Sequence, residues 1–129
     1  MATKTLKQVI VMRDDLNMGR GKMVAQGAHA GGAFVASRLL NLAQDYHAKV
    51  PSEEMEWIEG GQTKICVRVG SEAELMEIAA KAAAANLRCH VITDAGRTEF
   101  GGVPTRTCLA IGPNEVQAVD EITGRLRLL

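Results

Sequence analysis

The chain has 129 residues, with 15 Lys and Arg balanced by 15 Asp and Glu, three His, three Cys and only four aromatic residues. That length holds one domain, and 47% hydrophobic with 23% charged residues is a globular mix that excludes a disordered chain. No apolar run approaches the ~20 residues of a membrane span, the start MATKTLKQVIVM lacks a signal-peptide pattern, and three Cys without CxxC spacing point to a reducing cytoplasm.

Residues 8–12 (QVIVM) form a short apolar run, read as a strand buried on both faces. The polar, glycine-containing stretch 13–21 is a loop. From Lys22 the positions Val24, Ala28, Val35, Leu39, Leu42 and Tyr46 make a stripe at helical spacing, which predicts one long helix over 22–46 packed through that stripe. Gly31 and Gly32 in its middle disfavour helix and suggest close backbone packing or a kink.

Pro51 to Glu54 opens a short second helix, with Ser52 able to cap it and Gly60-Gly61 ending it. Trp57 is its core anchor. Residues 63–69 alternate, placing Ile65, Val67 and Val69 on one face of a second strand. Ser71-x-x-Glu74 is a capping box before an Ala-rich helix that Asn86 can close in a left-handed turn. Residues 87–93 read as a third strand, 94–106 as a loop and 107–111 as a fourth strand. Pro113-Asn114 starts a last helix that stops at Gly124 and leaves an extended tail. The order βααβαββα predicts a single three-layer α/β domain over 1–129, with helices flanking a four-stranded mixed sheet and a right-handed crossover between the first two strands.

The net charge of zero hides an uneven spread. Residues 1–44 carry a balance of +4, residues 45–77 a balance of −5, and the remainder +1. A local basic face therefore survives the cancellation if the bases converge on one site.

Three clusters could carry chemistry. The first is Met18 to Lys22 (MGRGK), where Gly19 and Gly21 free backbone amides at a helix start to hold an anion. The spacing is not that of a phosphate loop, so nucleotide hydrolysis is unsupported. The second is Lys22, Gln26 and His29, which share one helix face; a Lys at the positive end of the helix dipole opposes its local electrostatics and invites a functional explanation. The third is Asp94 to Thr98 (DAGRT), in which Asp94 could act as a base or orient one, Gly96 could permit close approach, and Arg97 could grip a phosphate. Each taken alone is equally compatible with a turn or a solvated face. His29, His47 and His90 lack the spacing of a zinc set, and Cys66 and Cys89 sit in strand patterns, so neither a metal nor another cofactor is expected.

In this order the clusters resemble the peptidyl-tRNA hydrolase 2 family, the type found in archaea and eukaryotes. The likeness runs through 7–22 (KQVIVMRDDLNMGRGK), Ala25-Gln26, 28–30 (AHA), Trp57, Gly61-Gln62-x-Lys64, 94–98 (DAGRT), 107–113 (TCLAIGP) and 122–126 (ITGRL), nearly the whole chain. The resemblance implies hydrolysis of the ester between a nascent peptide and tRNA, without a metal. It implies that Lys22, Gln26, Asp94, Thr98 and Thr107 occupy the active-site positions, with His29 in its motif beside them. Thr105 competes with Thr107 for the threonine position, because the stretch 99–106 looks one residue longer than the family's usual loop, and Glu99 stands where that loop commonly has a neutral residue. Arg13, Arg20, Arg97 and Arg106, with Arg38 and Lys22, would supply a basic patch for tRNA. A homodimer is compatible with the resemblance, and a non-catalytic tRNA- or protein-binding adaptor on the same scaffold is the alternative function.

Overall fold

The computed structural model describes residues 5–129; the first four, including Lys4, lie outside the described residues. The elements follow the expected order: β1 (Leu6–Arg13), α1 (Arg20–Gln44), α2 (Ser52–Glu59), β2 (Lys64–Val69), α3 (Glu72–Ala84), β3 (Cys89–Asp94), β4 (Thr105–Glu115) and α4 (Val116–Thr123). The sheet runs β2-β1-β4-β3, with β1 parallel to β2 and antiparallel to β4, and β3 antiparallel to β4.

Alternation in β1 builds the three layers. Val9 and Val11 join Val67, Val69, Leu109 and Ile111 in a core covered by Leu75 and Ile78 of α3 and Val119 and Ile122 of α4. The other face presents Ile10, Met12, Cys108 and Ala110 to Ala30 of α1. Beyond that patch Leu6, Phe34 and Trp57 close the layer, with Trp57 edge-on to Phe34 at 5.5 Å and its indole N–H donating to the Thr63 carbonyl at 2.8 Å. Trp57 is thus the anchor of α2.

α1 packs through a different face from the one its apolar stripe predicts. Gln26, Ala30 and Phe34 are buried, whereas Val24 and Leu39 are 69% and 62% exposed and Tyr46 lies in solvent. Small residues decide this. A Cβ on Gly31 would stand 3.4 Å from Gln8 Oε1 and 3.6 Å from Ile10 Cδ1, and one on Gly27 3.8 Å from Met12 Cε, so these glycines let the helix lie close on β1. Gly32 faces open space.

Other boundaries shift for identifiable reasons. Ser52 is the first residue of α2 rather than its cap, and Pro51 holds the cap position with no side-chain bond. Ser71 does cap α3, accepting from the Glu74 N–H at 3.0 Å, while the Glu74 carboxylate accepts from Gly70 N–H. Asn86 is left-handed, with φ 59°. Ile65 is exposed, unlike Val67 and Val69. The last helix begins at Val116 because Pro113 and Asn114 belong to β4: Asn114 pairs with Lys7, and its side-chain oxygen accepts from Arg88 N–H instead of capping a helix.

An ion network fastens α1, α2 and the residue that leads into β3 together. Glu54, fully buried, accepts from Arg38 Nε and Nη2 at 2.8 and 2.7 Å and from Arg88 Nε at 2.6 Å. Burial alone would push the Glu54 carboxyl up, but the hydrogen bonds from the two arginines more than reverse this and hold it below its ordinary value.

Candidate active site

Lys22 lies in the first turn of α1, and Asp94 ends β3, so the two meet where the helix start overlies the end of the sheet. Lys22 Nζ donates to Asp94 Oδ1 at 2.9 Å and to Thr98 Oγ1 at 2.8 Å. One turn further along α1, Gln26 Nε2 donates to the same Asp94 oxygen at 3.1 Å. The other oxygen, Oδ2, accepts from the Gly96 N–H at 2.8 Å. The hydrogen bond from Lys22, followed by that from Gly96, holds the Asp94 carboxyl below the usual carboxylate range. This carboxylate is what compensates a cation at the positive end of the helix dipole.

Thr107 reaches the cluster through a defect in the sheet. Ile92 pairs with Cys108 and Thr93 with Arg106, which leaves Thr107 as the extra residue of a bulge in β4. Strict alternation would turn Thr107 away from the face that Cys108 occupies. Instead both reach α1: Thr107 Oγ1 donates to Gln26 Oε1 at 2.5 Å, and Cys108 Sγ donates to the Gln26 carbonyl at 3.3 Å. Since Gln26 Oε1 accepts from the threonine, its amide nitrogen is turned toward Asp94. Thr105 is engaged elsewhere, its hydroxyl donating to the Val103 carbonyl at 2.8 Å.

Gly96 closes the loop after β3 at φ +82°; a Cβ there would stand 2.3 Å from the Val103 carbonyl oxygen, so only glycine fits. Phe100, from the same loop, brings its ring centre to 5.6 Å from Lys22 Nζ. Burial pushes the Cys89 and Cys108 thiols up to about 11, which suits core residues and not nucleophiles.

The residues expected to bind substrate are placed unequally. His29 is exposed on the flank of the cluster, beside Gln26 and β3, and makes none of its hydrogen bonds. Arg97 is exposed in the loop beside Thr98, Arg20 is exposed at the start of α1 on the side of the apolar groove, and neither forms an ion pair among the described residues. Arg13 is buried and committed internally: it donates to both Asp15 carboxylate oxygens at 3.0 and 2.8 Å and to the Arg106 carbonyl at 3.0 Å. Its hydrogen bond to Asp15 raises its pKa further. Arg106 pairs with Glu72 at 3.1 Å, and Arg38 belongs to the Glu54 network. Gly19 precedes α1, but its N–H already has a carboxylate partner in Glu99, at 3.2 and 3.4 Å; Gly21 is open to solvent. The Glu99 contact escapes a reading of the sequence because its two ends lie 80 residues apart.

A charged pair, an oriented amide and two hydroxyls at the end of an α/β sheet define a site equipped for polar group transfer without a bound nucleotide motif. Comparison with known proteins gives the family. The sequence profile of the family described as peptidyl-tRNA hydrolase PTH2 matches residues 6–129. A peptidyl-tRNA hydrolase of Methanocaldococcus jannaschii is 44% identical over 124 residues, covering 96% of this chain and all of that protein. Another, from Sulfurisphaera tokodaii, is 43% identical over the full length of both. A solved structure of an Agrobacterium protein of unknown function shares the fold, with a TM-score of 0.59 over 98% of this chain and 99% of that one at 10% identity. The chain belongs to the peptidyl-tRNA hydrolase 2 family.

Proposed function

We propose that the cluster around Asp94 is where this chain carries out the reaction of its family, hydrolysis of the ester joining a nascent peptide to tRNA. The observation that carries this reading is the sharing of one Asp94 oxygen by Lys22 and Gln26, with the exposed Thr98 accepting a further hydrogen bond from Lys22. A scaffold kept only for binding has no physical need of that convergence, so the adaptor reading is not favoured.

In this reading water attacks the ester carbonyl carbon, and Asp94 orients it and takes its proton. Lys22 stabilises the developing oxyanion and gives a proton to the departing ribose oxygen, whereupon the bond from carbon to that oxygen breaks. The proton on Asp94 returns to Lys22, so the reaction is ester plus water to peptide acid plus tRNA. A depressed carboxyl is a weak base at rest. Because the depression comes chiefly from Lys22, it relaxes as Lys22 turns its hydrogen bond toward the leaving oxygen. Gln26 aligns the substrate, and Thr107 holds Gln26. Thr107 is wholly buried and its proton is committed, which supports water over this threonine as the nucleophile. Mass spectrometry of acid-quenched turnover tests this: no peptidyl adduct is expected, and an adduct on Thr98 would replace the water route.

Among the residues expected to contact tRNA, Arg20 and Arg97 are the cations free to do so, with Arg106 at the margin. A cytoplasmic location is supported by the tRNA substrate and by the three unpaired cysteines. No helix among the described residues is long and apolar enough to cross a membrane. The exposed apolar flank of α1, with Val24 and Leu39 each more than 60% exposed beside an open groove of about 1160 Å³, supports a homodimer through this face. Sedimentation of wild type beside Leu39→Glu tests it, with a dimer converted to monomer expected.

A further inference from the structure

The sheet has two outer edges, and they are finished differently. Along β2 the C-terminal tail lies antiparallel: Arg68 N–H donates to the Arg127 carbonyl at 2.9 Å, Leu129 N–H to the Cys66 carbonyl at 3.1 Å, and Val67 bridges Leu128. The opposite edge is β3, and no described segment pairs with its outer side. Arg88 turns both main-chain groups inward, its carbonyl accepting from Gly112 N–H at 2.8 Å and its N–H donating to Asn114 Oδ1. Alternation then turns His90 and Ile92 toward β4 and leaves the main-chain groups of Cys89 and Val91 pointing outward. Exposed edges are commonly blunted by Lys or Pro; β3 reads CHVITD and carries neither.

This bare edge leads directly to Asp94. Alongside it runs a shallow groove of about 420 Å³, lined by Gln26 and His29 of α1 and by 91–95 of β3 and the loop after it. Gln26 and Asp94 therefore belong both to the groove and to the catalytic cluster.

We infer that the open edge of β3 is the subsite for the peptide portion of the substrate, whose last residues add to the sheet as an extended strand. This rests on the assignment of hydrolysis to the Asp94 cluster. Direction follows from the geometry. β3 reaches the cluster with its C-terminal end, so a guest strand delivers its own C-terminal ester carbonyl there only by running parallel to β3. Recognition through main-chain groups tolerates any side-chain sequence, which suits a substrate whose peptide is arbitrary. The four residues 91–94 span roughly 13 Å, room for three or four guest residues.

The test compares wild-type kcat/KM on tRNA carrying a single N-acetylated residue with that on tRNA carrying a tetrapeptide. A gain of about tenfold for the longer substrate is expected from a few added main-chain hydrogen bonds. Methylating the tetrapeptide amides one at a time should remove the gain at alternate positions only. Val91→Pro, which deletes an outward N–H without touching the ladder to β4, should bring the ratio of the two substrates close to one. Equal kcat/KM for both substrates in wild type overturns the inference while leaving the hydrolytic site intact. A length gain indifferent to methylation overturns it too, and places the peptide elsewhere, such as the apolar groove on the other flank of α1. If Val91→Pro fails to fold, the methylated series on wild type decides alone. Absence of turnover on both substrates overturns the site assignment and this inference with it.

Discussion

The Thr107 hydroxyl donates to Gln26 Oε1 at 2.5 Å inside a fully buried pocket, and that one bond fixes which end of the Gln26 amide faces Asp94. Thr107→Val keeps the shape and removes the donor, leaving Gln26 Oε1 unpaired. Stability should fall by about 1–3 kcal/mol. Turnover should fall by roughly tenfold or more, because the amide loses the bond that holds it in place against Asp94. Thr107→Ser, which restores the donor, should recover most of both. Thermal melts and kcat measured on the two variants check this.

Lys22 is expected to matter most to the chemical step. Lys22→Ala should lower kcat by on the order of 100–1000-fold, the usual loss for a group that stabilises a developing oxyanion. Single-turnover rates at saturating enzyme read this directly.

The same lysine sets the titration of Asp94. Removing its hydrogen bond with Lys22→Met should move the Asp94 carboxyl upward, toward the ordinary value near 3.9. A folded-state value held below the unfolded one stabilises the protein fully above the unfolded pKa, and that stabilisation is lost as pH falls through the folded value. Carbon NMR titration of Asp94 in wild type and Lys22→Met checks the direction, and acid unfolding of wild type should begin at lower pH than that of the variant.

Glu99 places a carboxylate on the N–H of Gly19, at the helix start where the sequence pattern suggests an anion would sit. If tRNA phosphates approach this helix start, Glu99 competes with them. Glu99→Gln should tighten tRNA binding by a few-fold at low salt, with the advantage shrinking as salt rises. Fluorescence titrations with tRNA at two salt concentrations measure both effects.

Glu54 is a structural counterpart remote from chemistry. Glu54→Ala leaves Arg38 and Arg88 facing each other without their shared carboxylate, and should cost about 3 kcal/mol. Denaturant unfolding gives the cost, and kcat of the folded fraction should hold.

Much of the fold was legible because it follows from local rules. The apolar strand at β1, the Ser71 capping box and left-handed Asn86 each depend on neighbours within a few residues. The face of α1 was not legible, since Gly27 and Gly31 count as weak apolar signals but govern how near the helix approaches β1. The end of β4 was obscured similarly: Asn114 has a helix-capping side chain, but the Arg88 N–H claims it. At the site, Lys22, Gln26, Asp94 and Thr98 stand out as polar residues in a recognisable order. Of Thr105 and Thr107, it is Thr107 whose hydroxyl the bulge brings to Gln26, a feature of register that no spacing reveals. The arginines were overcounted because ion pairs such as Arg13 with Asp15 and Arg106 with Glu72 consume charge that composition treats as free.

The central claim is that the Asp94 cluster hydrolyses the ester, and release of free tRNA from purified N-blocked aminoacyl-tRNA tests it most directly. Wild type should release tRNA, and Asp94→Asn, shown to be folded by its circular dichroism, should do so at least about 100-fold more slowly. Equal rates from the two folded proteins would contradict the account.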